Sequence, residues 1–177
     1  MNATELLMAD HRKVRALFGR FARSERQETR RRLAEEIIRE LSIHAAIEEE
    51  KLYPVIRDHV PGGRKLYDEA IEEHQQVKEV LAELDGSLEK AHTKAFAARV
   101  QRLKGDVEHH VEEEEGEVFP QLRRSISGTR LQELGRELQE AKATAPTRPH
   151  PNQPPAGELT GKAIGAVDRV RDRVAGR

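Results

Sequence analysis

An all-α fold, a four-helix bundle of up-down-up-down topology, is the class this sequence predicts, and three observations predict it. Apolar residues recur near every 3.6 positions in four long stretches joined by short connections. Hydrophobic and charged residues each make up 36% of the 177 positions and aromatics only 3%, the composition of helices that carry one apolar stripe each. The first two stretches also reappear, motif by motif, as the third and fourth.

The first helix is expected from about Thr4 to Arg23, striped by Leu7, Val14, Phe18 and Phe21. The second runs from about Gln27 to Asp58 with Ile37, Leu41, Ile47, Leu52 and Val55 inward, and stops before the turn Pro61-Gly62-Gly63. The third covers about Arg64 to Leu88, striped by Tyr67, Ala70, Val77, Leu81 and Leu84. The fourth covers about Ala91 to Arg124, striped by Phe96, Leu103, Val107, Val118 and Leu122. A short fifth helix, about Thr129 to Ala143, carries Leu131, Leu134 and Leu138 toward the bundle.

The chain therefore divides into a helical bundle over 1–143, a proline-rich linker over 144–157 and a short amphipathic tail over 158–177. The tail spaces Ile164, Val167, Val170 and Val174 at helical intervals. Its preferred reading is a frayed helix with weak contacts, expected to add little to the bundle. A docking face for a partner chain, as in a homo-oligomer, or for a membrane surface is the alternative.

A net charge of −1 and the lack of a basic face interleaved with aromatics argue against nucleic-acid binding. Without cysteine there are no disulfides and no thiolate ligands, so any metal site must use imidazole and carboxylate. No leader pattern and no run of eighteen apolar residues is present, and a cytoplasmic protein without a membrane span is the expectation.

The repeat places polar groups where a core should be apolar. Asp10-His11 with Val14 and Phe18 matches Glu73-His74 with Val77 and Leu81; His44 to Glu48, continuing to Tyr53-Pro54, matches His110 to Glu114, continuing to Phe119-Pro120. All four histidines fall on the apolar stripes. Glu48 and Glu114 each follow a histidine by four residues, one turn along the same face. Each helical hairpin thus offers two imidazoles and one carboxylate to one point. Burying six such groups uncompensated costs several kcal/mol or more, which two metal ions would offset.

The stretches DHRKVRALF, HAAIEEEKLYP, EEHQQVKEVL and HHVEEEEGEVFP resemble, in order and spacing, the motifs of the hemerythrin-like, or HHE cation-binding, family, over about residues 4 to 125. The resemblance implies a non-haem di-iron centre, oxo- or hydroxo-bridged, held by His11, His44, Glu48, His74, His110 and Glu114. The oxygen carriers of the family have a fifth histidine where this chain has Lys78, matched by Arg15 in the first half, and an aspartate five residues after the last histidine. Here Glu114 fits the repeat, and Glu115 is the lesser alternative. Two histidines per metal with two bridging glutamates resembles the subgroup associated with peroxide decomposition. Catalase-like action on hydrogen peroxide is therefore the leading expectation, and non-enzymatic binding or sensing of iron, oxygen or nitric oxide the alternative.

The remaining candidates are read more plainly. Tyr53 stands far around a regular helix from the face of His44, which suits packing better than ligand contact. Tyr67 is read as closing the bundle end. Pro54 and Pro120 should kink or end their helices just past the site. Glu40 and Asp106, one turn before ligand histidines, are expected to hold the outer imidazole nitrogens. His109 is read as surface-facing or supporting, His59 as a helix-end contact, and the other glutamates of the acidic runs as a solvated face.

Overall fold

The computed structural model describes residues 1–153 and 158–174; residues 154–157 of the expected linker and 175–177 of the tail lie outside the described residues. Helix α1 (Ala3–Arg23) starts at a capping box in which the Asn2 side chain accepts from the Glu5 amide and Glu5 answers the Asn2 amide. Helix α2 (Gln27–Ile47) passes through a π-helical turn, Glu48–Leu52, into α3 (Tyr53–His59), so that the three form one long bundle helix. The chain reverses at Gly62, whose φ of 71° lies in the left-handed region where glycine is favoured. Helix α4 (Gly63–Asp85) returns, and a short 3-10 turn, Leu88–Lys90, leads to Thr93, which caps α5 (Lys94–Glu113). A second π turn, Glu114–Val118, joins α5 to α6 (Phe119–Ser125).

These are the four bundle helices the apolar spacing predicts, and α7 (Gly128–Lys142), capped by Ser127, is the short fifth. The core has two apolar layers. One gathers Phe18, Phe21, Leu41, Leu81, Phe96 and Leu103 toward one end; the other gathers Leu7, Ile47, Ile56, Phe119, Leu122 and Leu134 toward the end covered by α7. The four stripe histidines are buried with them. Two stripe positions depart from the expected register. Val55 and Val118 are only partly buried, whereas Ile56 and Phe119 are fully buried. Val55 follows the first π turn and Val118 closes the second, and the extra residue of each turn advances the following helix in phase.

Residues 144–151, part of the stretch read as a proline-rich linker, lie along the bundle. Arg148 pairs with Asp85 at 2.7 Å and with Asp172 of α8 (Glu158–Val174) at 2.8 Å. Asp168 accepts from the amides of Thr147 and Arg148, and the Pro151 carbonyl accepts from Gln75. Pro146, Pro149 and Pro151 remove donors, and the amides that remain at Thr147 and Arg148 and the Pro151 carbonyl are the groups these side chains use. Val167, Val170 and Val174 face outward. No helix among the described residues is long and apolar enough to cross a membrane.

Helix α7 approaches the start of α1 so closely that a Cβ on Gly135 would stand 2.8 Å from the Met1 carbonyl oxygen and 2.9 Å from the Ala3 nitrogen, both main-chain atoms. Gly135→Ala is therefore expected to lower stability by about 1–3 kcal/mol in denaturant unfolding. Gly128→Ala, where a Cβ would meet nothing within 4 Å, serves as the near-neutral control.

Candidate metal centre

His11 comes from α1, His44 from the last turn of α2, His74 from α4 and His110 from the last turn of α5. Their side chains meet between the two apolar layers. His11 Nε2 and His44 Nε2 are 3.2 Å apart, and His74 Nε2 and His110 Nε2 are also 3.2 Å apart. Glu48 and Glu114 each open a π turn and reach both pairs. Glu48 Oε2 lies 3.2 Å from His44 Nε2 and 3.5 Å from His74 Nε2; Glu114 Oε2 lies 3.3 Å from His11 Nε2 and 3.7 Å from His110 Nε2. All six residues singled out from the repeat are thus brought together.

Each imidazole has its outer nitrogen facing a carboxylate from a neighbouring helix. Glu115 Oε1 stands 2.8 Å from His11 Nδ1, Glu49 Oε1 3.2 Å from His74 Nδ1, and Glu73 Oε2 2.6 Å from His110 Nδ1. Asp10 Oδ2 stands 3.7 Å from His44 Nδ1. A carboxylate accepts, so the Nδ1 atoms of His11, His74 and His110 carry protons and their Nε2 atoms, in the neutral rings, present lone pairs inward, while His44 Nδ1 is buried without a hydrogen-bond partner. Facing lone pairs repel unless a proton or a cation lies between them. Among the described residues, Glu48 Oε1, Glu48 Oε2 and Glu114 Oε2 are buried without a hydrogen-bond partner. Cis ligands about 2.1 Å from one ion are about 3 Å apart, close to the Nε2 separations here. The donor set fits metal cations on both counts. The donor atoms of His11, His44, Glu48 and Glu114 lie within 4.8 Å of one another, as do those of Glu48, His74 and His110.

Burial opposes the charge of His110, but Glu114 and Glu73 outweigh it and hold this imidazole above its ordinary range. Burial holds Glu48 well above the ordinary carboxylate range, and the neighbouring Glu114 pushes it the same way. Burial also opposes ionisation of Glu114, but His110 and His11 outweigh it and bring it to about 2. Burial lowers His44 to about 4 and lowers His74 as well. For Glu49 burial is outweighed by His74 and Lys78, which bring it to about 2.

Several sequence expectations are corrected here. Glu40 pairs with Lys13 at 2.7 Å and Asp106 with Arg102 at 3.9 Å, so neither supports a histidine. A residue on the ligand's own helix lies beside its imidazole, whereas the outer nitrogen points at the next helix, where Asp10, Glu49, Glu73 and Glu115 stand. Glu49 is buried, not solvated, and Lys78 is bound to it at 2.6 Å. Arg15 stands 3.7 Å from Glu115 in the repeated place. Tyr53 reaches the centre: its hydroxyl donates to Glu114 Oε1 at 3.0 Å and lies 3.1 Å from His74 Nε2 and 3.2 Å from His110 Nε2. The π turn rotates Tyr53 away from the position a regular helix would give it. Its counterpart Phe119 stacks against His11 with 6.0 Å between centroids. Pro54 and Pro120 fall in the first turn of the resumed α-helices, just past the π turns. His109 is exposed beside Glu113, and Tyr67 lies under the Arg57 guanidinium.

Fold and site together define a class, a helical bundle whose interior is a cluster of imidazoles and carboxylates suited to cations. The sequence profile of the Hemerythrin HHE cation binding domain matches residues 2–122, and the chain belongs to this family. It is 25% identical over 173 residues to a hemerythrin-like protein of Schizosaccharomyces pombe, a match covering 96% of this chain and 84% of that one. It is 29% identical over 168 residues to a DNA nickase of Nostoc sp., covering 94% of this chain but 43% of the nickase. The crystal structure of a hemerythrin HHE cation binding domain-containing protein from Mycobacterium kansasii superposes with a TM-score of 0.73 at 23% identity, covering 100% of this chain and 95% of that one. That likeness concerns the fold.

Glu49 supplies the acid-sensitive part of this arrangement. Its folded pKa is depressed, so its contribution to stability is complete above the ordinary value of 4.5 and is lost as pH falls toward about 2. Glu49→Gln leaves the half-buried Lys78 without its carboxylate and should destabilise the metal-free protein by about 2–4 kcal/mol near neutral pH. In urea unfolding the gap from the parent protein should close as pH is lowered through that window.

Proposed function

We propose that the centre holds two iron ions, one by His11 and His44 and the other by His74 and His110, with Glu48 and Glu114 bridging. The observation that carries this reading is the set of four converging Nε2 atoms beside buried carboxylate oxygens that lack partners. Imidazole and carboxylate without thiolate suit iron. The resemblance of the motifs to di-iron members of the family favours it over other ions with the same preference.

The reaction we assign is decomposition of hydrogen peroxide, 2 H2O2 → 2 H2O + O2. Bound iron would supply Lewis acidity and the capacity to exchange two electrons with peroxide. The chain's own residues add no further ligand to the centre and leave a small hollow beside it. Lys78, at the position of the oxygen carriers' fifth histidine, is committed to Glu49 and brings no nitrogen to the centre. A cavity of about 20 Å³ lined by Val14, Leu41, Val77 and Val107 adjoins the four histidines, enough for a molecule of water's size. On the other side the Tyr53 hydroxyl, whose proton goes to Glu114 Oε1, borders the centre and holds that carboxylate in place, and burial keeps it protonated.

A binding or sensing role for iron, oxygen or nitric oxide is the second reading. The outward stripe of Val167, Val170 and Val174 favours it, since a sensor needs a face that meets a partner. The nickase's activity is not carried over. This chain spans less than half of that protein, and its net charge of −1 provides no footprint for a nucleic-acid backbone.

Protein from iron-replete cells should contain about two irons per chain and evolve oxygen from peroxide without haem. His44→Ala should lose much of the metal and the activity. Tyr53→Phe should keep the metal while lowering turnover by about tenfold or more. One metal per chain, or reversible oxygen binding with no oxygen evolved from peroxide, would sink the enzymatic reading.

A further inference from the structure

The internal repeat relates two approaches to the centre, and they are closed differently. On the first hairpin, α7 covers Leu6, Ile43 and Ile47, and Lys142 binds Asp10 at 2.6 Å. The repeat counterparts of these four residues on the second hairpin are Glu69, His109, Glu113 and Glu73. Among the described residues no helix lies over them. A cavity of about 330 Å³ opens there instead, with Glu69, Glu73, Glu113 and Glu117 along its wall. Lys65, the one lysine among its lining residues, is paired with Glu69 at 3.2 Å. The inner end is formed by Tyr53, His110 and Glu114, the last only 2% exposed and with Oε2 unpartnered.

Glu73 and Glu113 of this wall, with His109 in the adjoining hollow, offer donor atoms within 4.8 Å of one another, with His109 Nε2 3.4 Å from Glu113 Oε1. Glu73 is shared between this cluster and the interior, because its Oε2 also meets His110 Nδ1 at 2.6 Å. An imidazole between two carboxylates is a donor set for a divalent cation. A wall of carboxylates concentrates cations and draws them along it. The unpartnered buried carboxylate at the far end completes the gradient from a weak, hydrated site to a strong, desolvated one.

We propose that Glu73, His109 and Glu113 form an outer site for a divalent cation, at the mouth of an acidic passage through which the buried centre is loaded. The proposal rests on the reading of the six buried residues as a metal centre. Two measurements on the full-length chain test it, and their failures are distinguishable. In the first, metal-stripped protein is mixed with Co(II) and the d–d bands of the buried sites are followed in time. His109→Ala/Glu113→Gln should load about tenfold more slowly than the parent and reach the same final content. Glu25→Gln/Glu28→Gln, which removes two exposed charges elsewhere, should load at the parent rate. In the second, iron-loaded protein is titrated with Mn(II) and should bind one further ion, a binding lost in His109→Ala/Glu113→Gln.

Loading at the parent rate by His109→Ala/Glu113→Gln, or a lowered final cobalt content, would overturn the loading role. No additional manganese bound by the parent protein would overturn the outer site. A parent protein that takes no cobalt into the buried positions would instead remove the metal centre itself, and the loading passage with it.

Discussion

Four imidazole nitrogens that turn their lone pairs on one another inside a buried core set the terms for the rest of this molecule. The arrangement is enforced from outside, because the carboxylates at the Nδ1 atoms fix which nitrogen carries the proton. Without those carboxylates the rings would be free to exchange tautomers and bond to each other. With them, the interior is a concentrated set of acceptors. Two of the four supports come from the partner helix of the same hairpin, Asp10 and Glu73, and two from the other hairpin, Glu49 and Glu115. The polar layer therefore ties all four bundle helices together while the apolar layers on either side exclude water.

The π turns do the local work that a regular α-helix would not. Each begins at the glutamate that faces both histidine pairs, and its extra residue turns the following helix so that an aromatic ring faces the centre. The same shift buries Ile56 and Phe119 in preference to Val55 and Val118. A proline follows each π turn, where the missing amide is accommodated in the first turn of the resumed helix. One local irregularity, repeated, thus places a carboxylate, an aromatic ring and the register of the bundle's lower layer.

Duplication supplies symmetry, and the surroundings break it. Tyr53 carries a hydroxyl into the site where Phe119 offers only a ring face to His11. Helix α7 seals one approach with apolar contacts and a lysine, and leaves the other lined by carboxylates. The same fold position therefore serves as a packed wall on one side and an open acidic mouth on the other. Lys78 and Arg15 retain the symmetry, since both neutralise a supporting carboxylate.

The sequence by itself determined the helices, their order, the duplication and the six converging residues. Those features depend on spacing along one chain, and a regular 3.6-residue period carries spacing faithfully to one helix face. His44 and Glu48, or His110 and Glu114, need only their own helix to stand together. What supports the histidines was decided in three dimensions, because Glu49 meets His74 and Glu115 meets His11 across helices whose rotation no single-helix period gives. Tyr53 was misplaced for a related reason. The period assumed for it was that of an α-helix, and the π turn that brings its hydroxyl to Glu114 forms where glutamate leaves the helical register to face a shared centre. The seating of residues 144–151 was likewise beyond composition, since it depends on Asp85, Asp168 and Asp172 arriving from distant points of the chain to meet donors that the proline-rich stretch still offers.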